Sequence, residues 1–194
     1  MQLAAGAGQL DVCSLLVELG ADTDATDELG RKAIHLAAQQ NHSEVVRLFL
    51  KNQPALVSAA NKDGNTCAHI AAMQGSVAVL QQLMKFDLSV VTASRNRTSE
   101  STPLHLAAEG GHADVTKMLL EAGASAMDEN KAGFTAIQLA AKNGHNTVID
   151  VLRCANSKSV CYASRRTGLN SLHVAACYGQ WGKKLDKINL KKKC

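Results

Sequence analysis

Seven histidines and six cysteines are the residues of this 194-residue chain best equipped for chemistry. The cysteines stand at 13, 67, 154, 161, 177 and 194, and no two form the closely spaced pairs that frame a zinc site. Without a secretory signal at the start, they are expected to be reduced thiols in a cytoplasmic protein. Cys67 lies two residues before His69, the nearest approach to a nucleophile beside a base. No nucleophile-elbow, phosphate-loop or zinc-protease motif accompanies it, so Cys67 reads as a small buried hydrophobe. Asp22, Asp24, Asp27 and Glu28 form an acidic run, but without the ligand spacing and central glycine of a calcium loop. The chain is therefore expected to be no enzyme, with no catalytic residue, cofactor or metal.

The histidines are informative through their spacing. His35, His69, His105 and His173 each precede an apolar residue and an Ala-Ala pair, and Gln2 and Gln138 hold the same place in two further copies. The first alanines of these pairs fall at 4, 37, 71, 107, 140 and 175, giving intervals of 33, 34, 36, 33 and 35 residues. His42, His112 and His145 occupy a second recurring place, in a turn four residues after the second alanine of each pair. Two repeat positions thus account for all seven. Their expected work is bonding side chain to backbone in turns, because buried polar groups need partners.

Each copy carries the same physical parts. Thr102-Pro-Leu-His105 is the fullest start: Thr caps a helix, and Pro is tolerated at its first position. The alanines let two short helices approach closely. A second helix follows the turn, with apolar spacing as in Val45, Val46, Leu48, Phe49 or Val115, Met118, Leu119. Gly20 and Gly123 end such helices. Asp27-x-x-Gly30, Asn61-x-x-Gly64 and Asn130-x-x-Gly133 are turn signatures between copies. The fourth copy departs from the rest, with Glu100 where a turn glycine is expected, inside a longer loop from Ser94 to Ser101.

Composition agrees. Apolar content of 46% suffices for a core, 3% aromatics and two prolines disfavour an all-β sandwich, and no apolar stretch is long enough to span a membrane. The formal net charge of +4 is misleading: residues 1–180 hold 15 basic and 16 acidic residues, and the excess lies in a tail with six lysines. Basic residues are not expected to form the stripe a nucleic-acid surface needs. Residues 181–194 read either as a capping element, with Trp181, Leu185 and Ile188 on one face, or as an unrelated end of the reading frame.

The 33-residue unit and its Thr-Pro-Leu-His-x-Ala pattern resemble the ankyrin repeat family over residues 1–180. That resemblance implies an all-α solenoid of about six stacked helix–turn–helix units with projecting hairpin loops, the first and last incomplete. The runs Asn61–Ser76, Leu83–Phe86, Ala107–Val115 and Glu129–His145 further resemble the cytoplasmic array of the TRPN (no mechanoreceptor potential C) channel family. That closer resemblance implies a segment of a cation channel's spring, tethering it to the cytoskeleton, with microtubules as candidate partner and neighbouring ankyrin units on either side. A free-standing cytoplasmic adaptor or scaffold is the alternative. Rigid scaffolds carry function on exposed loops, so the expected protein contacts are Asp27, Glu28, Asn61, Lys62, Asp63, Arg95, Arg97, Asn130, Lys131, Arg165 and Arg166.

Overall fold

The computed structural model describes residues 1–156 and 159–178. The proposed cap at Trp181, Leu185 and Ile188 lies outside the described residues. Within them the chain forms twelve α-helices, and the one β-pairing is an isolated antiparallel bridge between Ala60 and Thr66. The first helices of the six units are α1 (Gln2–Gly6), α3 (Ala33–Gln39), α5 (Cys67–Gln74), α8 (Pro103–Gly110), α10 (Ala136–Asn143) and α12 (Ser171–Cys177). The second helices are α2 (Leu10–Glu18), α4 (Ser43–Asn52), α6 (Val77–Met84), α9 (Ala113–Glu121) and α11 (Asn146–Ala155).

Each first helix packs on the first helix of the next unit, and each second helix on the next second helix. The result is two layers of parallel helices, with the core between them and between units. The alanine pairs make the close approach possible: Ala5, Ala37, Ala38, Ala71, Ala72, Ala107, Ala108 and Ala140 are wholly buried. Replacing Ala107 with Leu should destabilise the stack by about 1–3 kcal/mol through overpacking. A thermal melt unchanged by Ala107→Leu would contradict this packing. In the second helices the buried stripe is Val45, Val46, Phe49 and Leu50 in α4, and Val115 and Leu119 in α9. Leu48 and Met118 pack only partly against it.

Two elements depart from the repeating plan. After α4 the sequence Pro54–Ser58 makes a 3₁₀ turn, started by the proline and closed by buried Leu56 and Val57. Between the third and fourth units an extra helix, α7 (Leu88–Ala93), forms. Asp87 caps it, its carboxylate accepting from the Ser89 and Val90 N–H groups, and the Ser89 hydroxyl first, then those N–H groups, hold that carboxyl below its ordinary pKa. The loop that follows reaches Glu100, which holds φ +51 where the other hairpins place glycine. A side chain there strains the backbone, so Glu100→Gly should raise unfolding free energy by about 1 kcal/mol in urea titration.

Candidate protein-binding surface

The surface is built on what holds the hairpins in place. His35, His69 and His105 sit fully buried at the starts of α3, α5 and α8. In α5 and α8 the histidine Nδ1 accepts from the N–H and hydroxyl of the capping threonine: 3.2 and 2.9 Å from Thr66, 3.2 and 2.8 Å from Thr102. That leaves Nε2 carrying the proton, and it faces a backbone carbonyl of the next hairpin. His35 reaches Ala59 O at 3.0 Å, His69 reaches Ser101 O at 3.0 Å, and His105 reaches Asp128 O and Phe134 O at 2.9 and 3.1 Å. Burial lowers the pKa of His35 and brings His69 and His105 down to about 4, so the rings are neutral donors at neutral pH. Gln138 does the same work in the fifth unit, its amide donating to Leu169 O at 2.6 Å. Its carboxamide oxygen accepts the Thr135 N–H at 2.9 Å, the place Nδ1 takes in the histidine units.

The turn histidines bond in the opposite direction along the stack. Nε2 of His42, His112 and His145 lies 3.2, 2.8 and 2.9 Å from the carbonyls of Gly6, Met73 and Glu109 in the preceding unit. Each ring lies against a glycine of that unit's turn. A Cβ added to Gly8, Gly75 or Gly111 would stand 2.5, 2.6 or 2.7 Å from the ring of His42, His112 or His145. Between the second and third units both members change: the second unit has Asn41, at φ +61, and the third has buried Ser76 in place of histidine.

Hairpin tips are joined directly. The N–H of Lys62 donates to Leu29 O (3.1 Å), that of Arg97 to Asp63 O (2.9 Å) and that of Lys131 to Ser99 O (2.8 Å). The Arg166 guanidinium continues the series to Lys131 O. Successive hairpins therefore form a hydrogen-bonded ladder along one edge of the stack.

The structure places the eleven expected contact residues on or near this ladder, in two groups. Asn61 and Asn130 are buried and close their own turns, each carboxamide oxygen accepting backbone N–H groups four residues on at 2.9 Å. Asp27 does likewise for Leu29 and Arg31 and pairs with the Arg31 guanidinium at 2.8 Å. Arg95 is tied to Asp128 at 3.0 Å and to the Glu100 and Glu129 carbonyls. Glu28, Lys62, Asp63, Arg97, Lys131, Arg165 and Arg166 are exposed. Of the acidic run, Asp24 is paired with Lys32 at 2.5 Å, and its pKa is lowered by hydrogen bonds from Gln53 and Lys32.

A further surface group was not expected from the sequence. The Lys142 ammonium lies 5.8 Å from the Phe134 ring centroid and 5.2 Å from that of Tyr178, joining the fifth and sixth units. The scarcity of aromatics, with three Phe and two Tyr in the chain, was the available signal.

Cysteine chemistry lies away from this edge. Cys67 is wholly buried in α5, and desolvation pushes its thiol up to about 12, which makes it inert. Cys13, Cys154 and Cys177 are also free thiols. No group of His, Cys, Asp and Glu among the described residues could hold a metal ion, and no described helix is long and apolar enough to cross a membrane.

Stacked helix pairs with buried His-capped starts and laddered hairpins define a repeat solenoid. A profile described as ankyrin repeats in three copies matches residues 1–92 and 88–162, and the chain belongs to the ankyrin repeat family. Over 97% of its length it is 31% identical to the transient receptor potential cation channel subfamily A member 1 of Homo sapiens, covering 17% of that protein. The same share of the chain is 31% identical to the NF-kappa-B inhibitor zeta of Mus musculus, covering 26% of it. Its similarity to the subfamily A member 1 homolog of Caenorhabditis elegans is 29% identity over 75% of the chain and 12% of the relative. The chain thus spans between 12 and 26% of the length of these relatives.

Proposed function

We propose that this chain is a non-catalytic protein-binding segment from the ankyrin array of a TRPN-type mechanosensory cation channel, where it acts as an elastic tether to the cytoskeleton. The observation that carries this reading is the unbroken bonding between units: each joins only its neighbours, through histidines, hairpin backbone and alanine-lined helix faces, so a load at one end passes through every interface in turn. The similarity to subfamily A channels supports a channel parent. In that setting residues 1–180 are the array, residues 181–194 a tail or cap, and the chain lies on the cytoplasmic side of the plasma membrane, with microtubules as candidate partner.

Further ankyrin units are partners in the same reading. Leu3 in α1 is 91% exposed, whereas its equivalents in units with a preceding neighbour are buried (Ile70, Leu139) or half-buried (Leu36, Leu106). Leu15 on α2 and Leu19 at its C-terminal end are likewise open, and a preceding unit would cover them.

Pulling single chains from their two ends tests the tether. A reversible, nearly linear extension before stepwise loss of units is expected; one abrupt irreversible rupture with no elastic regime would remove it. Microtubule co-sedimentation at low salt tests the proposed anchor, and no pelleting would reject it. The equal similarity to NF-kappa-B inhibitor zeta favours a second reading, a free-standing adaptor whose exposed hairpins hold a protein ligand.

A further inference from the structure

The residue that follows the turn residue in successive hairpins (half-buried Asp27, then buried Asn61, Asn96, Asn130 and Ser164) is Glu28, Lys62, Arg97, Lys131 and Arg165. Backbone tip bonds fix Lys62, Arg97 and Lys131 in register, and the Arg165 N–H on the Glu129 carboxylate and the Arg166 guanidinium on Lys131 O continue the row, so four cations stand in single file along one edge, with Arg166 beside the last. All five cationic side chains are exposed. None is in an ion pair with a described residue, although Arg31, Lys32, Arg47, Arg95, Lys117 and Arg153 all are. Of the acids beside the row, Asp63 and Glu100 lie toward its start, and Glu129 is engaged by the Tyr162 hydroxyl and the Arg165 N–H.

We infer that this edge is a docking ridge for an extended acidic segment of a partner protein, lying across the hairpin tips from Lys62 to Arg166. This rests on the protein-binding reading and supplies its partner chemistry. Packed helices lie about 8–10 Å apart, which sets the spacing of cations along the row. A polyproline-type strand rises about 3.1 Å per residue and returns to the same face every third residue, about 9 Å on. A carboxylate at every third position therefore meets one cation per unit. The backbone ladder holds the cations' Cα atoms in place before binding, which lowers the ordering cost on this side of the contact. A protein acid fits better than a nucleic acid. The row is one residue wide, and residues 1–180 carry 15 basic against 16 acidic residues, so no broad positive field surrounds it.

The test is fluorescence anisotropy of the full 194-residue chain with a labelled (Glu-Pro-Pro)6 peptide at about 50 mM salt. Three probes accompany it: (Gln-Pro-Pro)6, a peptide with six consecutive glutamates, and a single-stranded oligothymidine of equal charge. The acidic repeat should bind at least fivefold tighter than each of these, and several-fold more weakly at about 200 mM salt. Arg97→Glu with Lys131→Glu should cost at least tenfold in affinity. Lys51→Glu with Lys85→Glu, the same charge change at exposed positions on the second-helix side, should cost less than twofold. Arg97→Lys with Lys131→Arg should keep binding, and Arg97→Gln with Lys131→Gln repeats the loss should the Glu pair fail to fold. No binding at low salt, equal binding of the glutamine peptide or the clustered acid, equal loss in both charge-reversed pairs, or tighter binding of the oligonucleotide would each overturn the ridge. A chain that extends elastically but ignores the peptide loses the ridge and keeps the tether.

Discussion

Acidification from pH 7 to pH 4 should remove several kcal/mol of stability from this stack, with the loss beginning near pH 6.5, above the range in which ordinary carboxylates are protonated. His69 and His105 are held neutral in the fold with pKa values of about 4, against 6.5 for the free side chain, because burial penalises the imidazolium. The unfolded chain binds these protons near pH 6.5 and the folded chain does not, so stability falls with pH across the interval between. Their contribution is complete above pH 6.5, declines below it and is lost by about pH 4. A shift of that size is worth about 3 kcal/mol per histidine. The imidazolium form would also lose the Nδ1 lone pair that receives the Thr66 and Thr102 protons. Gln138 supplies the control, because it bonds the next hairpin with no titrating ring. His69→Gln with His105→Gln should fold at pH 7 and flatten the pH dependence of urea midpoints between 6.5 and 4. An unchanged slope in the double variant would contradict the neutral-donor arrangement.

Gly64→Ala should cost far more than Gly20→Ala, although both glycines hold nearly the same backbone angle, φ +79 and +75. Left-handed geometry costs an alanine about 1–2 kcal/mol at either site. At Gly20 nothing lies within 4 Å of the added Cβ, so that is the whole effect. At Gly64 the Cβ would stand 2.4 Å from the Arg97 backbone nitrogen, the donor of the tip bond to Asp63. Backbone cannot turn away as a flexible side chain can, so the hairpins must part, adding about 1–3 kcal/mol. The expected loss at Gly64 is about 2–5 kcal/mol in equilibrium unfolding. Equal losses at the two sites would mean that the hairpin ladder contributes nothing.

Most of this architecture was legible because it repeats. Six copies of one pattern locate the first helices, the buried alanines and the role of His35, His69 and His105 without any single motif being decisive. Even the anomaly at Glu100 announced itself as a missing glycine and proved to be a positive-φ residue. What does not repeat was hidden. The helix at Leu88–Ala93 is six residues long, rich in β-branched side chains and held by one aspartate cap, too short for a period to show. Sequence cannot say which way a polar turn residue points, so nothing in it showed that the Asn61 and Asn130 side chains are buried and close their own turns. The cation row escaped notice for a different reason. Summed over the chain its charges cancel against acids elsewhere, and only the hairpin register brings Lys62, Arg97, Lys131 and Arg165 together.

The pairing of turn histidine with turn glycine reaches across unit boundaries, and that makes the order of the units matter. Gly8 belongs with His42, Gly75 with His112 and Gly111 with His145, while Asn41 is matched by Ser76. Transplanting the third unit behind a glycine-bearing neighbour would leave the space of an imidazole empty and a carbonyl without its donor. Placing the fourth unit behind the second would drive His112 into the side chain of Asn41. The sequence thus encodes adjacency as well as shape, and a permuted array of the same six units would be a poorer stack than the natural one.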